Sequence, residues 1–256
     1  MNGSVLGLFD WEMRQELVIP DMRKDLLPWG VRFVRPAPGM SFILYQQLEE
    51  SEVDEAIETQ MVYFQKINQS FTWIIYAHDK SEYLIKRLAA HGFEPDEPAA
   101  VMLLELNQAP ASLLAPVQAD VRSITRREGL DEVIQVLEAV WGGSYAWVTQ
   151  RLGSHLEIPG YLNVYAAYVN NRPASVSWIY FPPGSQFASL WAGSTLPEHR
   201  NQGLYTALLA RRVQEAIQSG RRFVFIETGP ESQPIVAKRG FEQLTIEQDF
   251  EWKPSD

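Results

Sequence analysis

Between residues 186 and 252 the hydrophobic period of the chain changes four times, and no other stretch restricts the fold as tightly. Residues 186–195 read as a strand, and Pro197 blocks further pairing. Over 204–218 apolar residues repeat at helical spacing: Leu204, Leu208, Val213, Ala216 and Ile217 share a face, with Tyr205 and Leu209 beside it. Gly220 is placed to stop that helix. The run RFVFIET, 222–228, has the length of a buried strand. A short helix over 232–239 closes at Gly240, and 241–252 reads as a final strand or hairpin.

The turn PEHRNQG joins the strand to the long helix. The first amides of a helix lack internal partners and carry partial positive charge, so one anion can accept from several of them. Gly203 lets a ligand approach the backbone, Arg200 adds charge and Thr206 a hydroxyl. Taken alone, the turn equally fits a plain helix start in solvent. Bulky Tyr205 stands where such a cradle usually keeps something small.

Upstream, residues 117–125 read as a strand, 128–141 as a helix with Leu130, Val133, Ile134, Leu137 and Val140 on one face, and 163–169 and 174–181 as strands around Asn170-Asn171. The weakly charged segment 107–116 reads as a linker. This divides the chain into residues 1–106 and 117–256. The first part ends with a strand at 71–76, a helix at 81–91 and a strand at 99–106. Its helix exit, LAAHGFE, matches VAKRGFE 148 residues later, which points to internal duplication.

Composition narrows the function classes. The 256 residues contain no cysteine, which excludes disulfides, thiolate metal sites and cysteine nucleophiles. Net charge is −10, and residues 1–106 hold 17 acidic against 9 basic residues. Such a surface repels phosphate backbones, so no nucleic acid partner is expected. The acidic run from Glu49 to Glu58 reads as a solvated helix start. Neither a signal sequence nor a membrane span is legible, so a cytoplasmic chain, monomeric or homodimeric, is expected.

The order strand, R-x-x-G-x-Y, helix, strand, short helix, G-F, strand resembles the GNAT superfamily of acyl-CoA-dependent N-acyltransferases. The family signature Q/R-x-x-G-x-G/A stands here as Arg200-Asn201-Gln202-Gly203-Leu204-Tyr205. Thr195 to Arg200 is similar to the V-x-P-x-x-R approach, and GPESQPIVAKRGFE to the short fourth helix with its G-F exit. The resemblance covers about residues 117–252. It implies an α/β (α+β) fold: a mixed, mostly antiparallel twisted sheet flanked by helices, with the first part a degenerate copy in tandem. It implies acetyl-CoA as co-substrate, no metal, and transfer to a primary amine of a small molecule or peptide by direct attack in a ternary complex. The pantetheine arm would pair with backbone at Ser194, Thr195 and Leu196. The pyrophosphate would sit on the amides of Gln202 to Thr206, with the Tyr205 ring swung onto the helix flank or the adenosine side. The first part lacks the signature and receives no second coenzyme site.

The family often places an acidic tyrosine four residues before the G-F glycine, and Val236 stands there, with Leu88 in the first part. Glu227 is the nearest candidate base, and His199 a weaker one. Ser232 either touches the coenzyme or caps the short helix. Trp141, Tyr145 and Trp147 fall on the acceptor side, where core packing is the expected role. The missing tyrosine leaves open an alternative, a non-catalytic acyl-CoA-binding or interaction module.

Overall fold

A computed structural model describes residues 3–36, 39–79 and 82–254. In chain order the strands are β1 (Arg23–Leu27), β2 (Gly30–Val34), β3 (Ser41–Gln46), β4 (Phe71–Tyr76), β5 (Glu94–Pro95), β6 (Ala99–Glu105), β7 (Asp120–Ile124), β8 (Leu162–Val169), β9 (Arg172–Tyr180), β10 (Phe187–Thr195), β11 (Phe223–Thr228) and β12 (Glu242–Trp252). The helices are α1 (Gly3–Phe9), which runs into a π-helical segment Asp10–Gln15, then α2 (Val53–Lys66), α3 (Glu82–Ala90), α4 (Ala111–Leu114), α5 (Leu130–Trp141), α6 (Trp147–Leu156), α7 (Leu204–Gln218) and α8 (Gln233–Ala237). Ser81, the expected start of α3, lies outside the described residues. Among the described residues, no helix is long and apolar enough to cross a membrane.

The chain forms two compact units. One comprises Met1–Val101 with Glu227–Gln233 and Gln243–Asp256; the other comprises Met102–Ile226 with Pro234–Glu242. In the first unit the strand order is β1-β2-β3-β4-β12, with β5 beside β12. The β3–β4 pair is parallel and the others are antiparallel. β12 was expected to close the second part. From Gln243 onward it belongs to the first unit, where it pairs with β4 from Glu247↔Tyr76 to Trp252↔Phe71. Alternating apolar residues specify a strand, not its neighbour. Val53, Ala56, Ile57 and Phe64 form the apolar stripe of α2 and pack with Trp73, Leu84, Leu88, Phe250 and Trp252. The acidic run stays in solvent as expected. Its Glu49 and Glu52 build a reciprocal cap just before α2, and Asp54 reaches His91 at 3.2 Å.

The second unit orders its strands β6-β11-β10-β9-β8-β7, with β10–β11 the parallel pair. Ile124, Leu130, Val133, Leu137, Val148 and Leu152 pack against Val164, Val176 and Trp178. The supposed linker is docked structure. Leu113 is fully buried, and the Gln214 side-chain amide donates to the carbonyls of Leu113 and Ala115, each at 2.9 Å. The positive-φ glycines Gly142 and Gly143 form the expected loop, but α6 follows it where no helix was expected.

The repeated Gly-Phe exits share one geometry. Gly92 and Gly240 are both left-handed, and the amides of Phe93 and Phe241 donate back to the carbonyls of Leu88 and Val236. In both units this exit follows a parallel strand pair, as an internal duplication requires.

Candidate functional site

In the second unit the β10–β11 ladder runs Phe187↔Phe223, Ala188↔Val224 and Ser189↔Phe225, then stops. Beyond it β10 bulges. Its register against β9 shifts between Trp191 and Ser194, and Ala192 takes φ 59°. The bulge is pinned from β9, where the Ser175 hydroxyl donates to the Ser194 carbonyl at 2.8 Å. β10 therefore leaves its parallel neighbour with Ser194, Thr195 and Leu196 at its end.

From there Pro197–His199 make one 3-10 turn into Arg200. Asn201 (φ 61°) and Gly203 (φ 81°) are both left-handed, and α7 begins at Leu204. Ala207 is the first amide to bond back, to the Gly203 carbonyl at 2.9 Å, so the amides of Leu204, Tyr205 and Thr206 have no intrahelical acceptor. A Cβ on Gly203 would meet nothing within 4 Å, so the space above the turn is open. Arg200 is exposed and leans on the Thr195 carbonyl at 3.4 Å, and Gln202 donates to Glu198 O at 3.2 Å. Sequence reasoning missed a second cation here: Arg239, one residue before the C-terminal glycine of its helix, donates to the Thr206 hydroxyl at 3.2 Å. A splayed parallel pair, a left-handed turn and a cationic helix N-terminus together suit an elongated ligand with a diphosphate.

No family model and no curated protein matches this chain. Solved structures do. The chain is similar to a GCN5-related N-acetyltransferase from Kribbella flavida (TM-score 0.73, 14% identity, covering 99% of this chain and 95% of that one). It is also similar to a tandem GNAT protein from the clavulanic acid biosynthesis pathway (TM-score 0.64, 16% identity, 94% and 86%). A third match is a GCN5-related N-acetyltransferase from Sphaerobacter thermophilus (TM-score 0.60, 15% identity, 90% and 82%). The fold is the GNAT fold, in tandem.

Within this GNAT fold the first unit has its own splay, after Ile43↔Trp73, and Arg14 takes it. Arg14 is fully buried. Its Nε donates to the Leu44 carbonyl at 3.1 Å, while its amino groups pair with Asp79 (2.7 Å) and Asp10 (2.8 Å). A guanidinium thus sits beside β3 just past the end of its ladder with β4.

Glu227 ends up in an acidic cluster of the first unit. β12 brings up Glu247 and Asp249, and the register sets Glu247 opposite Tyr76. Glu247 hydrogen-bonds both Glu227 and Tyr76. Glu227 keeps contact with solvent but is closely surrounded by protein, and this desolvation, followed by the Asp249 charge, raises its pKa to about 7. Burial, then Glu227 and Asp249, hold Glu247 well above the usual carboxylate range. Asp249 rises to about 6 through burial and the charge of Asp96. Two carboxyl groups in hydrogen-bond contact share a proton more easily than they both ionise.

Other expected residues fall differently. The Ser232 hydroxyl donates back to the Gly229 carbonyl at 3.3 Å, so it does not cap α8; a side chain that turns inward on its own loop satisfies itself there. Val236 and Leu88 are fully buried and carry no proton donor. The Nδ1 of half-buried His199 has no partner among the described residues. Tyr145 packs on the core as expected, but Trp141 is 67% and Trp147 39% exposed, and the Trp141 indole donates to Ser194 Oγ at 2.8 Å. Trp191, in the bulge, is 44% exposed. The Tyr205 ring turns inward instead of onto the helix flank, because Gly193 leaves room for it: a Cβ there would lie 2.5 Å from Tyr205 Cε2.

Proposed function

We propose that this chain is an acyl-CoA-dependent N-acyltransferase that moves acetyl from acetyl-CoA to a primary amine by direct attack in a ternary complex. The observation that carries this reading is the left-handed Asn201–Gly203 turn at the α7 N-terminus, set beside the end of the splayed β10. The residues present fit the coenzyme: the open space over Gly203 admits a phosphate where a Cβ would intrude. The amides of Gln202 to Thr206 would hold the diphosphate, with Arg200 and Arg239 adding charge. Backbone at Ser194, Thr195 and Leu196 would align the arm. Acetyl-CoA, when bound, supplies an activated thioester. Glu227, which at a pKa of about 7 is part ionised at neutral pH, has the protonation behaviour that a general base needs. Holding the reactants in one geometry supports much of the rate without an acidic tyrosine.

Calorimetric titration of acetyl-CoA, followed by thiol release against a panel of amines, tests the reading. Binding and turnover with at least one amine are expected, and no heat at millimolar acetyl-CoA refutes it. Buried Val236 favours one second reading, a coenzyme-binding module without turnover. Under that reading acetyl-CoA binds but no amine releases thiol.

A further inference from the structure

Two polar groups under the β10 bulge lack hydrogen-bond partners among the described residues. One is the Tyr205 hydroxyl, whose oxygen is buried. The other is one amino group of Arg212, a side chain with no exposure at all. The rest of the Arg212 guanidinium is satisfied: Nε donates to Leu208 O at 3.2 Å, and the first amino group to Trp178 O at 3.3 Å and Trp191 O at 3.2 Å. No carboxylate pairs with it among the described residues. Arg212 and Tyr205 interact electrostatically, so they are near neighbours. The Trp191 carbonyl that Arg212 holds opens the bulge, and the Gly193 that Tyr205 packs on is inside it. Buried polar groups are seldom left unpaired, because each unmade bond is unfavourable. Here two donors are left over in one place, next to the splayed strand.

We propose that Tyr205 Oη and the second amino group of Arg212 form a donor pair that recognises an acceptor oxygen on the acyl-pantetheine arm of the coenzyme. The assignment rests on the reading of the chain as an acyl-CoA binder and extends it to residues that the amide cradle does not use. It also accounts for the bulky residue in the signature. Tyr205 does not obstruct the cradle; it turns into the room over Gly193 and carries a donor beneath the arm.

The test is Tyr205→Phe in the full chain, titrated with acetyl-CoA and with adenosine 3′,5′-bisphosphate, and melted without ligand. Because the hydroxyl has no partner in the free chain, the melting temperature is expected to stay level or rise. Acetyl-CoA affinity is expected to fall about five- to tenfold, the usual worth of one hydrogen bond. Affinity for the bisphosphate, which has no arm, is expected to hold. Unchanged acetyl-CoA affinity in the variant overturns the assignment, as does an equal loss for the bisphosphate or a clear drop in the unliganded melting temperature. If the unmodified chain binds neither ligand, the acyl-CoA reading falls and the donor pair with it; bisphosphate binding without acetyl-CoA binding removes the donor pair alone.

Discussion

The substitution Glu247→Gln isolates the acidic cluster of the first unit. Glu227, Glu247 and Asp249 are all raised, by burial first and by one another or Asp96 second. The sign follows from linkage. A carboxyl whose folded pKa lies above its unfolded one binds its proton more tightly in the native state. Its stabilisation is complete below the unfolded value and is lost as pH rises through the folded value. With Glu227 at about 7 and Asp249 at about 6, against ordinary values of 4.5 and 3.8, the window runs from about pH 3.8 to about 7. One proton retained only by the native state gives about 1.4 kcal/mol per pH unit. Glu227 is exposed to solvent, so screening reduces the whole effect to about 1–2 kcal/mol, or roughly 2–8 °C in melting temperature. The introduced glutamine keeps the shape, accepts from the Tyr76 hydroxyl through its carbonyl oxygen and donates its amide to Glu227. Glu247 already lowers the Glu227 pKa through their hydrogen bond, and the glutamine amide keeps a donor there. Burial and the Asp249 charge remain, so Glu227 stays near 7, and the raised titration of Glu247 itself is what the variant removes. Melting from pH 4.5 to 8 at constant ionic strength reads the slope, and carbon-13 NMR of labelled glutamate carboxyls reads the titrations. The expected outcome is a shallower decline in the variant and the loss of the raised Glu247 midpoint, with the Glu227 midpoint near 7 retained. Parallel melting curves, or unmodified glutamates that all titrate near 4.5, refute the reasoning.

Three further outcomes follow from single contacts. Gly203→Val is expected to lower stability by about 1–2 kcal/mol, because φ 81° is left-handed, and to lose acetyl-CoA affinity in calorimetry; full affinity counts against the cradle. Arg14→Met leaves Asp79, only 6% exposed at its side chain, buried without its cation, so urea unfolding is expected to show a loss of about 3–5 kcal/mol. Gly193→Ala drives a methyl into the Tyr205 ring, with an expected loss of about 1–3 kcal/mol that a smaller residue at 205 relieves; strictly additive melting shifts would show the two are not in contact.

Local signals carried much of the fold. Phe71–Tyr76 is a strand at the expected bounds because aromatic and β-branched residues fill it and the polar run Asn68-Gln69-Ser70 precedes it. Gly92 and Gly240 end their helices because left-handed backbone favours glycine. Partner choice was not local. β12 is a good strand wherever it goes, and its place beside β4 depends on pairs about 170 residues apart, such as Glu247↔Tyr76. The setting of Glu227 was hidden for the same reason, since the carboxylates that tune it arrive on that strand. α6 escaped notice because two glycines precede it and Gly153 interrupts its buried face of Val148, Leu152 and His155.

The sequence marked one part of the site twice, by two departures from pattern. Tyr205 is too large for its place in the signature, and Arg212 is a charge on the buried face of α7 between Leu208 and Ala216. Periodicity treats each as a fault: a ring that blocks and a cation that ought to face water. Neither departure explains itself, because Gly193, which makes room for the ring, is not on α7 but on β10. With no Cβ at 193 the ring has room, and with the bulge at Ala192 the Trp191 carbonyl turns to where Arg212 holds it. Burial without a counter-ion pushes the Arg212 pKa down to about 10, so it is still charged at neutral pH and raises the positive potential beneath the bulge.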